Sequence, residues 1–296
     1  MKPNDVIRLL FLSAIWGGSF IFMRILSPIM GPVLTTDLRV TIAGLVLLIY
    51  FLIIRFNLEW RKYWNHYLVI GIIISAIPFF LYSYAALYIP ASYSVILNAT
   101  APLFGAFFSS IWLQERLNST MGAGLILGAL GVGLVAKVGP VELSPKVLIA
   151  GAACRLAAIC YGLGGVYIKK YSAHVKPKAI ACASQLMAGL ALLPWAFRSK
   201  NSFEITPSLA LTVVVFAVLC SAIAYLLYYR LITDIGPTKA LTVTFLMPIF
   251  GIIWGSLFLG EKLTIGMTIG CLIIVLGTAL VLNVLKLPER MGLNVA

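Results

Sequence analysis

Apolar residues run along this chain in long unbroken blocks rather than in amphipathic stripes. Ten blocks of roughly 20 residues cover most of the 296 positions, and a helix of that length is what a hydrocarbon core requires. The pattern predicts spans at 6–26, 33–55, 66–88, 92–114, 119–138, 146–170, 177–198, 207–231, 238–259 and 265–286. The blocks lack the alternation of membrane strands, and inside a bilayer every backbone polar group must be satisfied within the segment, so they are expected to be helices. The expected fold class is an all-α integral membrane protein with no soluble domain and no long linker.

The positions that punctuate the blocks recur at a fixed distance. Ser75-Ala76-Ile77 returns as Ser221-Ala222-Ile223, and the same offset of 146 relates Tyr82 to Tyr228, Pro102 to Pro248, Gly105 to Gly251, Glu115 to Glu261 and Gly131 to Gly277. A weaker match at 145 relates Ala43-Gly44-Leu45 to Ala188-Gly189-Leu190 and Gly17 to Gly162. The chain therefore reads as two copies, 1–140 and 141–296, of five spans each. An odd number of spans turns the second copy over, so the expected architecture is ten transmembrane helices in a 5+5 inverted repeat. Such repeats place a substrate site near the midplane, between two nearly equivalent gates.

Charge refines this picture. The formal net charge is +13, but the basic residues are unevenly placed. Fourteen Lys and Arg fall on the side predicted to hold both termini, six fall on the other, and Arg39 and Arg155 lie inside blocks. Basic loops stay in the cytosol, so both termini are expected there, in a bacterial inner membrane, and the positive charge needs no nucleic-acid partner. The first block has no small-residue cleavage site after it and reads as an uncleaved anchor. Trp60-Arg61-Lys62-Tyr63 reads as an interfacial anchor between spans 2 and 3. The five cysteines all fall inside blocks without ligand spacing, so buried thiols are expected, with no metal and no cofactor.

Candidate chemistry gathers at duplicated positions. Proline inside a helix frees the carbonyl four residues earlier, here those of Asn98 and Thr244, so Pro102 and Pro248 are expected to kink spans 4 and 9 beside a central cavity and to serve as paired gates. Ser75, Phe79 and Tyr82 share one face of span 3, and Ser221, Tyr225 and Tyr228 share the matching face of span 8; both are candidate cavity walls. Trp16 and Tyr161, each beside a glycine, are further candidates. Arg155, roughly 13 Å into span 6 at 1.5 Å per residue, is a candidate partner of a substrate carboxylate or phosphate, with snorkelling to the interface as the alternative. Arg39 and Asp37 in span 2 are expected to form a structural ion pair or to meet lipid headgroups. The glycines of spans 5 and 10 are expected to pack these helices together, with homodimerisation as the alternative to a monomer.

Trp16-Gly17-Gly18-Ser19, Arg39 before Ala43-Gly44, the Pro102…Glu115 and Pro248…Glu261 helices and the glycine-rich spans 5 and 10 together resemble the EamA-type drug/metabolite transporters, over essentially the full chain. The likeness is greatest to bacterial exporters of amino acids and related metabolites, the YddG type. It implies a secondary transporter, not an enzyme, exporting small molecules such as amino acids, aromatic or otherwise neutral, by alternating access. The alternative within transport is an antiporter of phosphorylated or nucleotide-linked sugars, which calls for several converging cations; a membrane-embedded transferase would need a catalytic constellation that the sequence does not offer. No Asp or Glu falls mid-span, so a facilitated or potential-influenced exporter is expected rather than one run by a buried carboxylate relay.

Overall fold

A computed structural model describes residues 2–115, 118–135, 144–199, 203–259, 265–282 and 284–285. Glu261, and Arg116, Lys137, Lys200, Lys262, Lys286 and Arg290 from the charge asymmetry, lie outside them. Among the described residues every regular element is helical. In chain order these are α1 (Pro3–Met30), α2 (Pro32–Ile53), α3 (Trp60–Ile70), α4 (Ile77–Ala85), α5 (Ala91–Asn98), α6 (Ala101–Trp112) and α7 (Ser119–Val135). They are followed by α8 (Pro145–Tyr171), α9 (Pro177–Arg198), α10 (Pro207–Ala217), α11 (Ala224–Ile235), α12 (Pro237–Leu241), α13 (Val243–Leu259) and α14 (Ile265–Val281). Two π-helical turns, π1 (Gly71–Ala76) and π2 (Val218–Ile223), join α3 to α4 and α10 to α11 without a break. Trp60-Arg61-Lys62-Tyr63 forms the start of α3.

Six helices among the described residues are long and apolar enough to cross a membrane singly: α1, α2, α3–α4, α8, α9 and α10–α11. Blocks 92–114 and 238–259 are each divided in two, and α7 and α14 are 17 residues each. Prolines in the first turn open α1, α2, α8, α9, α10 and α12, where the missing N–H would have had no helical partner. Gly31 (φ 78°, ψ 158°) and Gly236 (φ 84°, ψ 164°) precede α2 and α12 in a conformation reserved for glycine, which lets one helix end and the next begin within a residue.

A break corrects the kink expected at Pro102, while Pro248 stays inside a helix as expected. Block 92–114 is interrupted at Ala99–Thr100, so Pro102 sits in the first turn of α6 and removes no helical bond. Block 238–259 is interrupted at Thr242, six residues before Pro248, which lies inside α13. A threonine marks both breaks: Thr100 Oγ1 donates to the Leu97 carbonyl (2.6 Å) and Thr242 Oγ1 to the Lys239 carbonyl (2.7 Å).

Small residues set the packing. An added Cβ on Gly124 would lie 2.7 Å from the Gly277 carbonyl oxygen, and one on Gly131 2.9 Å from that of Gly270, so α7 and α14 meet backbone to backbone within one chain. Gly17 brings α1 against the Met247 carbonyl of α13, Gly162 brings α8 against the backbone of Phe104 and Gly105 in α6, and α2 packs along α9. The outer faces are apolar, with Leu52, Ile53 and Leu190 exposed, while aromatic and polar side chains turn inward.

Candidate functional site

The inward faces converge on a narrow cavity at the centre of the bundle, with about 20 Å³ of room for the centre of a water-sized sphere. α1 supplies Trp16, Ser19, Phe20 and Met23 at i, i+3, i+4 and i+7, a single helical face. α4 adds Phe79 and Tyr82, α13 adds Thr244 and Met247, and Arg39, Asn98, Tyr161, Tyr228 and Leu241 come singly from α2, α5, α8, α11 and α12. Its wall residues are buried: Arg39, Tyr82 and Tyr228 are 2%, 2% and 1% exposed.

Of the residues expected from sequence, Trp16, Phe79, Tyr82, Asn98, Tyr161, Tyr228 and Thr244 line this cavity. Tyr82 donates to Asn98 Oδ1 (2.8 Å), and its ring stacks with that of Tyr161 at 6.3 Å. Thr244 Oγ1 donates to the Leu241 carbonyl (2.8 Å). Tyr225 stands behind the wall, edge-on to Trp16 (5.5 Å) and Phe79 (5.8 Å). Ser75 and Ser221 lie in the π-turns and act on the cavity only indirectly: Ser75 Oγ accepts from Gln185 Nε2 (2.9 Å), and Ser221 Oγ accepts from Arg39 Nε (2.7 Å). Pro102 and Pro248 do not line the cavity.

Two arginines exchange roles relative to expectation. Arg155 lies on the exposed face of α8, away from the cavity wall. The cavity's cation is Arg39, which pairs with Ser221 and the Cys220 carbonyl rather than with Asp37. Asp37 and Arg39 are two residues apart, about 200° around a helix, so they face opposite ways; Asp37 Oδ1 accepts from Thr41 Oγ1 instead (3.3 Å). Ser19, Phe20, Met23, Leu241 and Met247 were not anticipated. The four-point face of α1 was the available signal for the first three.

The π-turns explain how Arg39 is held. A π-turn shifts the hydrogen-bond ladder by one residue and turns a carbonyl away from it. In π2 the Cys220 carbonyl accepts from both Trp16 Nε1 (3.1 Å) and Arg39 Nη2 (3.1 Å). In π1 the Ile74 carbonyl, 146 residues earlier, accepts from the Tyr225 hydroxyl (3.1 Å).

On the side of the bundle that holds the N-terminus a second space opens, a polar vestibule of about 790 Å³ lined by Lys2, Asp5, Lys169, Asp234 and Lys239 among others. Ion pairs ring it: Arg8 with Asp5 (3.1 Å) and Asp234 (2.9 Å), Arg230 with Asp234 (2.8 Å), and Lys169 with Glu115. Between vestibule and cavity stands α12. Its Lys239 faces the vestibule and its Leu241 the cavity, while Thr238 Oγ1 donates to Ser109 Oγ on α6 (3.1 Å).

A helical membrane bundle with a narrow central chamber and a polar antechamber is the build of a transporter, and the comparisons agree. The EamA-like transporter family matches this chain twice, over residues 6–137 and 149–283, and the chain belongs to that family. It is similar to the uncharacterized transporter YvbV of Bacillus subtilis (strain 168), 26% identical over 95% of this chain and 92% of that protein. It is also similar to an uncharacterized transporter of Archaeoglobus fulgidus, at 25% identity over 95% and 98% of the two chains. The uncharacterized inner membrane transporter YedA of Escherichia coli (strain K12) is 24% identical over 84% and 81%. A solved crystal structure superposes with a TM-score of 0.76 over 95% of this chain and 96% of its own, at 19% identity, a likeness of fold.

Proposed function

We propose that this membrane transporter is a secondary exporter of small metabolites, amino acids foremost, working by alternating access in a bacterial inner membrane with both termini in the cytosol. In this reading the ten apolar blocks are ten spans and the two halves an inverted 5+5 repeat; the second copy of the family match and the paired π-turns support it. The observation that carries the proposal is the succession of spaces along the bundle: an open polar vestibule on the terminal side, the five-residue helix α12, then a narrow cavity among buried side chains. A substrate would enter from the cytosol, pass α12 and be enclosed among Trp16, Tyr82, Tyr161 and Tyr228 before release on the far side. α12 suits a gate because it is short and bounded by Gly236 and by the break at Thr242, two points where the backbone already departs from helix. Arg39 is the one cation among the described cavity residues, which fits a singly charged metabolite better than a phosphorylated sugar.

Counterflow in proteoliposomes tests this. Vesicles loaded with unlabelled amino acids should accumulate labelled amino acid transiently, and the accumulation should vanish when Tyr228→Trp fills the cavity. Absence of counterflow for every amino acid tried, by protein that remains folded, would contradict the substrate class.

A further inference from the structure

Arg39 is a charge buried in the centre of a membrane protein, and such a group persists only with compensation. Among the described residues it forms no ion pair with a carboxylate. Its compensation is of another kind: the guanidinium carbon lies 3.5 Å from the centroid of the Phe79 ring and 4.5 Å from that of Phe216, so two aromatic faces hold it without neutralising it. One edge is anchored, Nε to Ser221 and Nη2 to the Cys220 carbonyl. Of the five N–H donors of a guanidinium, these use two, and a third reaches only the Met23 sulfur at 3.9 Å, a weak acceptor. The remaining donors meet no oxygen among the described residues. A second, independent vacancy faces the same space: the Tyr228 hydroxyl is buried, lines the cavity and has no hydrogen-bond partner among the described residues. A buried donor without an acceptor is costly, and two of them on one cavity describe the shape of a missing acceptor.

We infer that Arg39 and the Tyr228 hydroxyl form an anion-recognition site in the central cavity, and that its ligand is the carboxylate of a small monoanion or zwitterion whose remaining body is apolar or aromatic. This inference rests on the cavity being the transporter's substrate site. A planar carboxylate matches the guanidinium fork, and one negative charge matches one positive charge in a low-dielectric chamber. The rest of the wall, Trp16, Tyr82 and Tyr161, is aromatic. An ammonium group would find no acidic side chain among the described cavity residues, so the carboxylate, not the amino group, is what the site reads.

The opposite half supplies a tool for testing this. Gln185 donates to Ser75 as Arg39 donates to Ser221, so Arg39→Gln can keep the bond to the π-turn serine while removing the charge. Thermal unfolding of the detergent-purified protein is followed in titrations of acetate, benzoate and L-phenylalanine, each against its amide, acetamide, benzamide and L-phenylalaninamide. The carboxylates should stabilise the wild type and the amides should not. Arg39→Gln should weaken carboxylate binding by about tenfold or more, and Tyr228→Phe by about threefold or more while leaving the unliganded melting temperature unchanged or higher. Equal binding of carboxylates and amides, or undiminished carboxylate affinity in Arg39→Gln, overturns the anion site while the cavity stands as a binding site. Failure of both series to bind the wild type overturns the cavity reading together with it. Should Arg39→Gln not fold, Tyr228→Phe decides: unchanged carboxylate affinity overturns the site.

Discussion

Gly151 and Gly162 lie on the same helix, α8, in opposite surroundings. A Cβ on Gly151 would meet nothing within 4 Å, whereas one on Gly162 would lie 2.8 Å from the Phe104 carbonyl carbon and 2.9 Å from the Gly105 nitrogen, backbone atoms that cannot swing aside. Alanine gains roughly 1 kcal/mol over glycine in a helix interior, but overpacking costs about 1–3 kcal/mol. Gly151→Ala should therefore raise the melting temperature in detergent and Gly162→Ala should lower it; the reverse order would mean that α6 and α8 are less closely packed than described. The same azimuthal reasoning exposes what could be read from sequence at this scale. Arg155 was weighed by its depth, yet it stands six residues, about 240° of helix, from Tyr161, so if Tyr161 faces the cavity Arg155 does not. The separation of Asp37 from Arg39 carried a similar warning. That Arg39 would be clasped by Phe79 and Phe216 was not legible, because it depends on how α2, α4 and α10 meet.

Elements followed the apolar blocks closely at their ends, and less closely inside. The breaks at Thr100 and Thr242 and the π-turns at 71–76 and 218–223 interrupt runs of unchanged hydrophobicity, so a reading of hydropathy passes over them. Duplication marked the places without giving the conformation: Ser75 and Ser221 proved to be π-turn acceptors, and Pro102 and Pro248 proved unequal. That inequality is testable. Pro248→Ala supplies an N–H inside α13 where a helical acceptor stands four residues earlier, and should raise thermal stability; Pro102→Ala adds a donor in the first turn of α6, where none is needed, and should leave it unchanged or slightly lower. Equal stabilisation by both would return Pro102 to a helix interior. Gly236→Ala places a side chain at φ 84°, ψ 164°, where it meets no atom closer than Lys169 Nζ at 3.6 Å, so its cost is backbone strain, about 1–3 kcal/mol. Because that strain falls at the hinge of α12, counterflow in Gly236→Ala should slow more than the fall in melting temperature alone would account for.

For the whole molecule the sequence spoke through its apolar blocks, its motifs and its repeat. Helical architecture among the described residues, family and about half of the cavity wall followed from them; the vestibule and its ion-pair ring did not, since they arise from the meeting of α1, α8, α11 and α12. A cysteine at Lys176, just before α9, should be labelled by an impermeant maleimide only after permeabilising intact cells if the terminal side is cytoplasmic. The central claim is that the central cavity is opened in turn to each side of the membrane. The most direct test is a cysteine at Thr244, in a functional variant lacking the five native cysteines, exposed to a membrane-impermeant methanethiosulfonate in right-side-out and in inverted vesicles. Alternating access predicts modification from both sides, slowed in both by a bound carboxylate; modification from one side alone, or from neither while counterflow persists, would contradict it.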